Sequence, residues 1–184
     1  MGIIIARNYG AKNEDQLRKS VAATAIIGCI LSLFVIFIGA VGLYPLLQFL
    51  GTPSAIVSQS YLYIATIVNG VAVTFAYNLC AGLLRAVGDS LAALCFLIIA
   101  AILNILLDLY FITQLHLGVQ SAGIATIIAQ GISALLCLLY IRKKVPFLLP
   151  HRKDFVWDKE LYQDLLSQGL AMGLMASIVS IGTV

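Results

Sequence analysis

Charge is scarce in this sequence. Asp, Glu, Lys and Arg make up 10% of its 184 residues and hydrophobic residues 61%, with a mean hydropathy of +1.03. Soluble domains carry about 25% charged residues, so a water-soluble fold of this chain would run short of polar surface. Paired cysteines are absent too: Cys29, Cys80, Cys95 and Cys137 all sit in apolar runs, form no C-x-x-C, and have no His at metal-ligand spacing. They read as small buried hydrophobes, not as zinc ligands or disulfides. His116 and His151 fall in polar segments and read as solvated. Strict period-two alternation, which the strands of a membrane β-barrel require, is missing as well.

What is present is long apolar runs. Four are long enough to cross a bilayer as helices, at about 20 residues each: roughly 22–43, 60–84, 91–113 and 121–141. Backbone polar groups in lipid must be satisfied internally, so these spans are helical. The expectation is an all-α integral membrane protein, a polytopic helix bundle whose solvent is the lipid bilayer.

The polar segments between the spans are 7–20, 44–59, 85–90, 114–120 and 142–164. All eleven Lys and Arg residues lie in the first, third and fifth; the second and fourth have none. Four spans put the first, third and fifth on one side, and the positive-inside rule makes that side cytoplasmic. A nucleic-acid patch would not alternate in step with hydrophobic spans, so nucleic acid is no partner.

Turn chemistry sharpens the boundaries. Gly10 punctuates a helix end, Asn13 offers an N-cap, and Glu14 and Asp15 fall in the first turn that follows. Gly51 and Pro53 end a helix, with Ser54 as the next cap. Gly88 reads as a C-cap, with Asp89 or Ser90 as an N-cap. Short connections make sequential helices antiparallel neighbours. The basic stretch after Arg142 is broken by Pro146 and Pro150 and reads as a linker, 142–162. Its Phe147, Leu148, Leu149 and Trp157 are expected at the membrane interface. A further helix starts at about 163. The opening "MGIIIARNYG" fits neither a signal peptide nor a myristoylation motif; it reads as the inner end of a span, residues 1–10, whose outer part is missing.

Polar residues inside the spans form stripes. Thr66, Gly70, Thr74 and Asn78 recur every four residues in the second span. Ala122, Thr126, Gln130 and Ser133 share a face of the fourth, and Asn104 and Asp108 share a face of the third. Such stripes either pack helices through hydrogen bonds or line a wet cavity, walled here by Thr66, Thr74, Asn78 and Gln130. Asp108 lies about 25 Å along its helix from Leu91 at 1.5 Å per residue. A carboxylate at a helix centre costs about 2.5–3.5 kcal/mol on insertion scales and less nearer the surface. Spacing alone leaves a structural carboxylate and a cation-binding one both open.

In order and spacing, "ARNYGAKNEDQLRKSV", "LLRAVGDS", "ILNILLDLYFI", "GVQSAGIATIIAQ" and "LLSQGLAMGLMASIVSIG" together resemble the multidrug and toxic compound extrusion (MATE) family. The resemblance implies a two-lobe, twelve-helix exporter in the plasma membrane. This chain would supply most of the first lobe (1–141), the inter-lobe linker and the truncated start of the second lobe (163–184). Its partners would be the missing first helix and second lobe, with drugs or toxic compounds as substrates. It implies no cofactor beyond a coupling Na⁺ or H⁺, held by Asp108 and Asn104 on the fifth family helix and by Thr126 on the sixth. Ala122 would add a carbonyl, and Asp108, Asn104 and Thr126 would be the Na⁺ ligands under sodium coupling. The family's further Asp on its first helix has no counterpart in this sequence. A lipid-linked oligosaccharide flippase would carry several Arg residues within its spans, and none occurs here. An enzyme would need a nucleophile with its base, paired acids or metal ligands. A non-transporting membrane assembly partner would reveal itself by a stoichiometric companion in mild detergent.

The charge pattern yields a direct test. Single Cys substitutions at Lys12, Asp89 and Lys143 should resist an impermeant thiol reagent on intact cells, and those at Thr52 and His116 should react. Labelling at Asp89 but not at Thr52 would refute the topology.

Overall fold

The computed structural model describes residues 2–51, 54–115, 118–156 and 158–182. Its helices are α1 Gly2–Gly10, α2 Glu14–Phe49, α3 Ser54–Asn69, α4 Val71–Ala86, α5 Ser90–Thr113, α6 Gln120–Lys144 and α7 Lys159–Gly182. Two 3-10 turns, Pro146–Leu148 and Arg152–Asp154, interrupt the connector before α7. No strand occurs among the described residues. α2, α5 and α6 are each long and apolar enough to cross a bilayer, and α3 with α4 makes a fourth, bent span. The protein is therefore an all-α, multi-pass membrane protein.

One element differs from the sequence reading. The expected single span at 60–84 is broken at Gly70, where α3 and α4 meet at 44°. The Gly70 N–H is shared between the carbonyls of Thr66 and Ile67, both at 3.0 Å. A Cβ at Gly70 would strike the Ile127 side chain of α6, so the bare backbone lets that side chain reach into the break. α2 runs from the Asn13 cap through Pro45 to Phe49, ending beside Gly51 where the turn chemistry ends a helix. Proline removes one N–H and crowds the carbonyl four residues back, which membrane helices accommodate by re-satisfying the freed backbone group; Gly51, at φ +67°, then reverses the chain.

The caps follow local chemistry. Asn13 accepts from the Gln16 N–H at 3.1 Å to start α2. Asp89 accepts from the Ala92 N–H at 3.2 Å to start α5, after Gly88 at φ +89°. The other oxygen of Asp89 accepts from the Tyr140 hydroxyl at 2.8 Å, which ties this turn to α6. After α1 the left-handed residue is Lys12, at φ 55°, and not Gly10. Expectations placed on Thr52, Pro53, His116, Trp157 and the Ser54 side chain lie outside the described residues.

Packing centres on α6. Ser121, Ala125, Ala129, Ser133, Cys137 and Ile141, each four residues after the last, are all 0% exposed. A four-residue step overshoots the 3.6-residue turn by about 40°, so this seam winds about the helix and meets α3, α4, α5 and the connector in succession. Small residues let the backbones approach, which is how helices associate where lipid offers no hydrophobic drive. Ser133 belongs to this buried seam, its hydroxyl without a hydrogen-bond partner among the described residues, and is not part of the polar stripe the sequence suggests. Phe34 and Phe37 on α2, and Ile105 and Leu106 on α5, are exposed.

At one end of the bundle Ile5, Leu17, Leu84, Cys137, Ile141 and Leu148 close a single core cluster. The Lys- and Arg-bearing ends of α1, α2, α4 and α6 thereby share one end, called here the basic end. Leu148 is fully buried in protein, in contrast to the interfacial position its sequence context suggests. Beside it, Arg18 Nε donates to the Phe147 carbonyl at 3.3 Å, and Tyr9 stacks on the Phe147 ring at 5.9 Å. Tyr162 and Leu165 of α7 pack with Ile4, Ala23 and Ile27.

Gly28 offers a packing test. A Cβ there would overlap the rigid Phe75 ring of α4. Gly28→Ala should lower stability by about 1–3 kcal/mol, the usual cost of overpacking, and Phe75→Leu should recover part of it, read as thermal melting in detergent. An unchanged melting temperature would show that the α2–α4 interface is looser than described.

Candidate cation site

α5 lies along α6, so the polar residues of the two helices face each other midway between Asp89 and the far end. Asn104 Nδ2 donates to Thr126 Oγ1 at 2.9 Å. Thr126 Oγ1 in turn donates to the Ala122 carbonyl at 2.7 Å, one turn back on its own helix. Three of the four residues singled out by sequence thus form one hydrogen-bonded chain. With its Nδ2 engaged, Asn104 keeps its amide oxygen for another partner, and Thr126 keeps a lone pair.

Asp108 stands one turn beyond Asn104, half-buried, and is hydrogen-bonded to neither Asn104 nor Thr126 among the described residues. Its Oδ1 is 3.2 Å from the hydroxyl of Ser121, a fully buried residue in the first turn of α6. Sequence reasoning passed over Ser121, which looks like an ordinary helix-start serine. The available signal was its depth, since the first turn of α6 must lie level with the last turns of α5.

The residues expected to line a cavity divide into three places. Gln130, Asn104 and Thr126 line a cleft of about 200 Å³ with Tyr77 and Leu97. Asn78 lines a neighbouring cleft of about 250 Å³ that shares Tyr77 and Leu97 and extends toward Arg85. Thr74 lies beside the first cleft, donating to Gln130 Oε1 at 2.7 Å. Thr66 sits on the other side of the Gly70 bend, accepting from Gln120 Nε2 at 3.2 Å. A larger cleft of about 530 Å³ lies at the basic end, between Arg7, Gln16 and Asp164, remote from Asp108. It is open and ringed by solvated charges.

The ligand atoms that Asp108, Ser121, Asn104, Thr126 and Ala122 offer are all oxygen: a carboxylate, an amide, hydroxyls and a carbonyl. That set suits a hard cation and offers nothing to a soft one. No group of three or more His, Cys, Asp or Glu side chains able to hold a metal occurs among the described residues. Asp108 is the one charged residue in α5.

The MatE family model matches residues 1–110, more than half of the chain. The chain belongs to the MatE family. The match includes Asn104 and Asp108 and stops short of Ser121 and Thr126. "Probable multidrug resistance protein YpnP" of Bacillus subtilis (strain 168) is 30% identical over 176 residues, covering 93% of this chain and 39% of that protein. "Multidrug and toxin extrusion protein 1" of Oryctolagus cuniculus is 30% identical over 145 residues, covering 77% and 25%. An outward-facing multidrug resistance MATE family transporter superposes with a TM-score of 0.90 at 25% identity, over 98% of this chain and 40% of that one. The inward-facing form of such a transporter gives 0.85 at 25% identity, over 92% and 39%. The MatE chain described here thus spans about 40% of the length of the Bacillus subtilis relative and of the two transporter structures, and a quarter of the rabbit protein. Members of the family are transporters and not enzymes.

The Asn104–Thr126 bond can be measured. A double-mutant cycle with Asn104→Leu and Thr126→Val should give a coupling of about 0.6 kcal/mol, the average for interhelical hydrogen bonds in a membrane protein. Additive effects of the two substitutions would show that the side chains do not interact.

Proposed function

We propose that this MatE chain forms part of a cation-coupled antiporter that exports amphipathic or cationic compounds across the plasma membrane, with the basic end cytoplasmic. The observation that carries the reading is that Asp108 stands one turn beyond Asn104, whose amide begins the Asn104–Thr126–Ala122 chain bordering a cleft between α4, α5 and α6. Relatives bearing the words multidrug resistance or toxin extrusion support the substrate class.

The physics of coupling follows from the lone carboxylate. A transporter alternates between two arrangements, and a ligand shifts that equilibrium only by its differential affinity for them. Asp108 is a carboxylate among apolar helices, so binding Na⁺ or H⁺ changes the electrostatic cost of every arrangement that dehydrates it. Na⁺ would draw on the Asp108 carboxylate, the Asn104 amide oxygen, the Thr126 hydroxyl and the Ala122 carbonyl. A proton needs the carboxylate alone. A cationic substrate drawn to the same negative region gains access as the coupling ion leaves, which makes the exchange an antiport. Thr66, Thr74, Asn78 and Gln130 would keep the path between the helices wet.

Asp108→Asn preserves size and hydrogen-bonding capacity while removing the charge. In the complete gene product this variant should reach the membrane at the parent level and lose ion-driven dye efflux. Full ion-driven efflux in Asp108→Asn would make the carboxylate structural and end this reading.

A further inference from the structure

We infer that Ser121 is a positioning residue for the cation site, holding the Asp108 carboxylate toward α6 while the site exchanges its ion. This rests on the reading of Asp108 as the ion-coupling group. Ser121 is 0% exposed, and its hydroxyl is within hydrogen-bonding distance of two acceptors: Asp108 Oδ1 at 3.2 Å and the Gly118 carbonyl at 2.7 Å. A hydroxyl has one proton and two lone pairs, so it cannot donate to both at once.

The two contacts therefore define two settings of one rotor. With the carboxylate bare, the hydroxyl proton turns to Oδ1, a bond strengthened by the charge of its acceptor. The Gly118 carbonyl is not orphaned, because it also accepts the Ser121 backbone N–H at 3.2 Å. With a cation neutralising the carboxylate, the proton falls back on the closer Gly118 carbonyl, and the Ser121 oxygen turns a lone pair toward the site. One side chain thus satisfies the carboxylate when it is empty and yields when it is filled.

Among the described residues no other group is hydrogen-bonded to the Asp108 side chain, whereas Asn104 and Thr126 are already bonded to each other. Without Ser121, Asp108 lies within about two turns of the end of α5 and its carboxylate is free to swing to the water there. The ligand oxygens would then have to be assembled at the moment of ion binding, with the loss of affinity that follows when an outer partner of a metal ligand is removed.

Ser121→Ala deletes the oxygen with minimal change of volume. Ser133→Ala is the matched control: Ser133 is equally buried on the same helix seam, and its hydroxyl has no partner among the described residues. Ion-driven efflux in vesicles of the complete gene product should be titrated against the driving cation, as Na⁺ and as H⁺, and separately against substrate. In Ser121→Ala the half-saturating concentration of the driving cation should rise about tenfold, the low end for outer partners of metal ligands. The substrate half-saturation and the Ser133→Ala variant should match the parent. A loss confined to maximal rate or protein level would assign Ser121 to packing and overturn the inference. An unchanged cation half-saturation in Ser121→Ala would overturn it too, provided Asp108→Asn abolishes the cation response. If Asp108→Asn itself keeps that response, the ion-coupling role of Asp108 is what fails, and this inference falls with it.

Discussion

One face of α6 carries no side chain larger than Cys from Ser121 to Cys137, and the rest of the bundle depends on that. Helices in lipid gain little by excluding apolar surface from one another, since lipid is equally apolar. They associate where backbones come close enough for many dispersion contacts and for short hydrogen bonds. The seam at Ser121, Ala125, Ala129, Ser133 and Cys137 supplies the close approach. Its four-residue spacing winds the contact line round the helix, so α6 serves several neighbours and not one. A large residue in the seam would push a helix away and break the polar bonds beside it.

Those polar bonds are distributed with the same logic. α6 reaches α3 through Gln120 and Thr66, α5 through Thr126 and Asn104, and α4 through Gln130 and Thr74. Each is modest in energy, because the separated helices would also find polar partners. Their value lies in register, since a slide of one turn along α6 would leave half-buried amides and hydroxyls unpaired. The Asp108–Ser121 contact is placed by the same three fixings, and so depends on packing at some distance from it.

Much of this was legible in the sequence. Apolar runs give membrane helices directly, and Asn13 and Asp89 were readable as caps because an N-cap is a local device. The four-residue spacing of Asn104 and Asp108 placed them on one face, and the structure adds that Asn104 is bonded to Thr126 while Asp108 turns to Ser121. The bend at Gly70 was not legible. A glycine in an apolar run is compatible with a straight helix, and what decides is Ile127, 57 positions away in sequence. Both ends of α2 were legible, one from the Asn13 cap and the other from the Gly51 turn. Leu148 reads as interfacial because its neighbours are basic, and only the tertiary cluster reveals that protein, not lipid, covers it.

The length of α2 has a mechanical consequence. Its 36 residues measure about 54 Å at 1.5 Å per residue, well beyond the roughly 30 Å of a hydrocarbon core. The surplus includes Leu17 and Arg18 at the basic end, which is where the connector is moored, through the Phe147 carbonyl and the buried Leu148. α7 is fastened to the same helix again through Leu165, near Ile27. Two anchorages on one rigid rod form a bracket. Displacing α7 must either unseat the connector from Arg18 or drag α2 with it, so load passes between α7 and the rest of the bundle through α2.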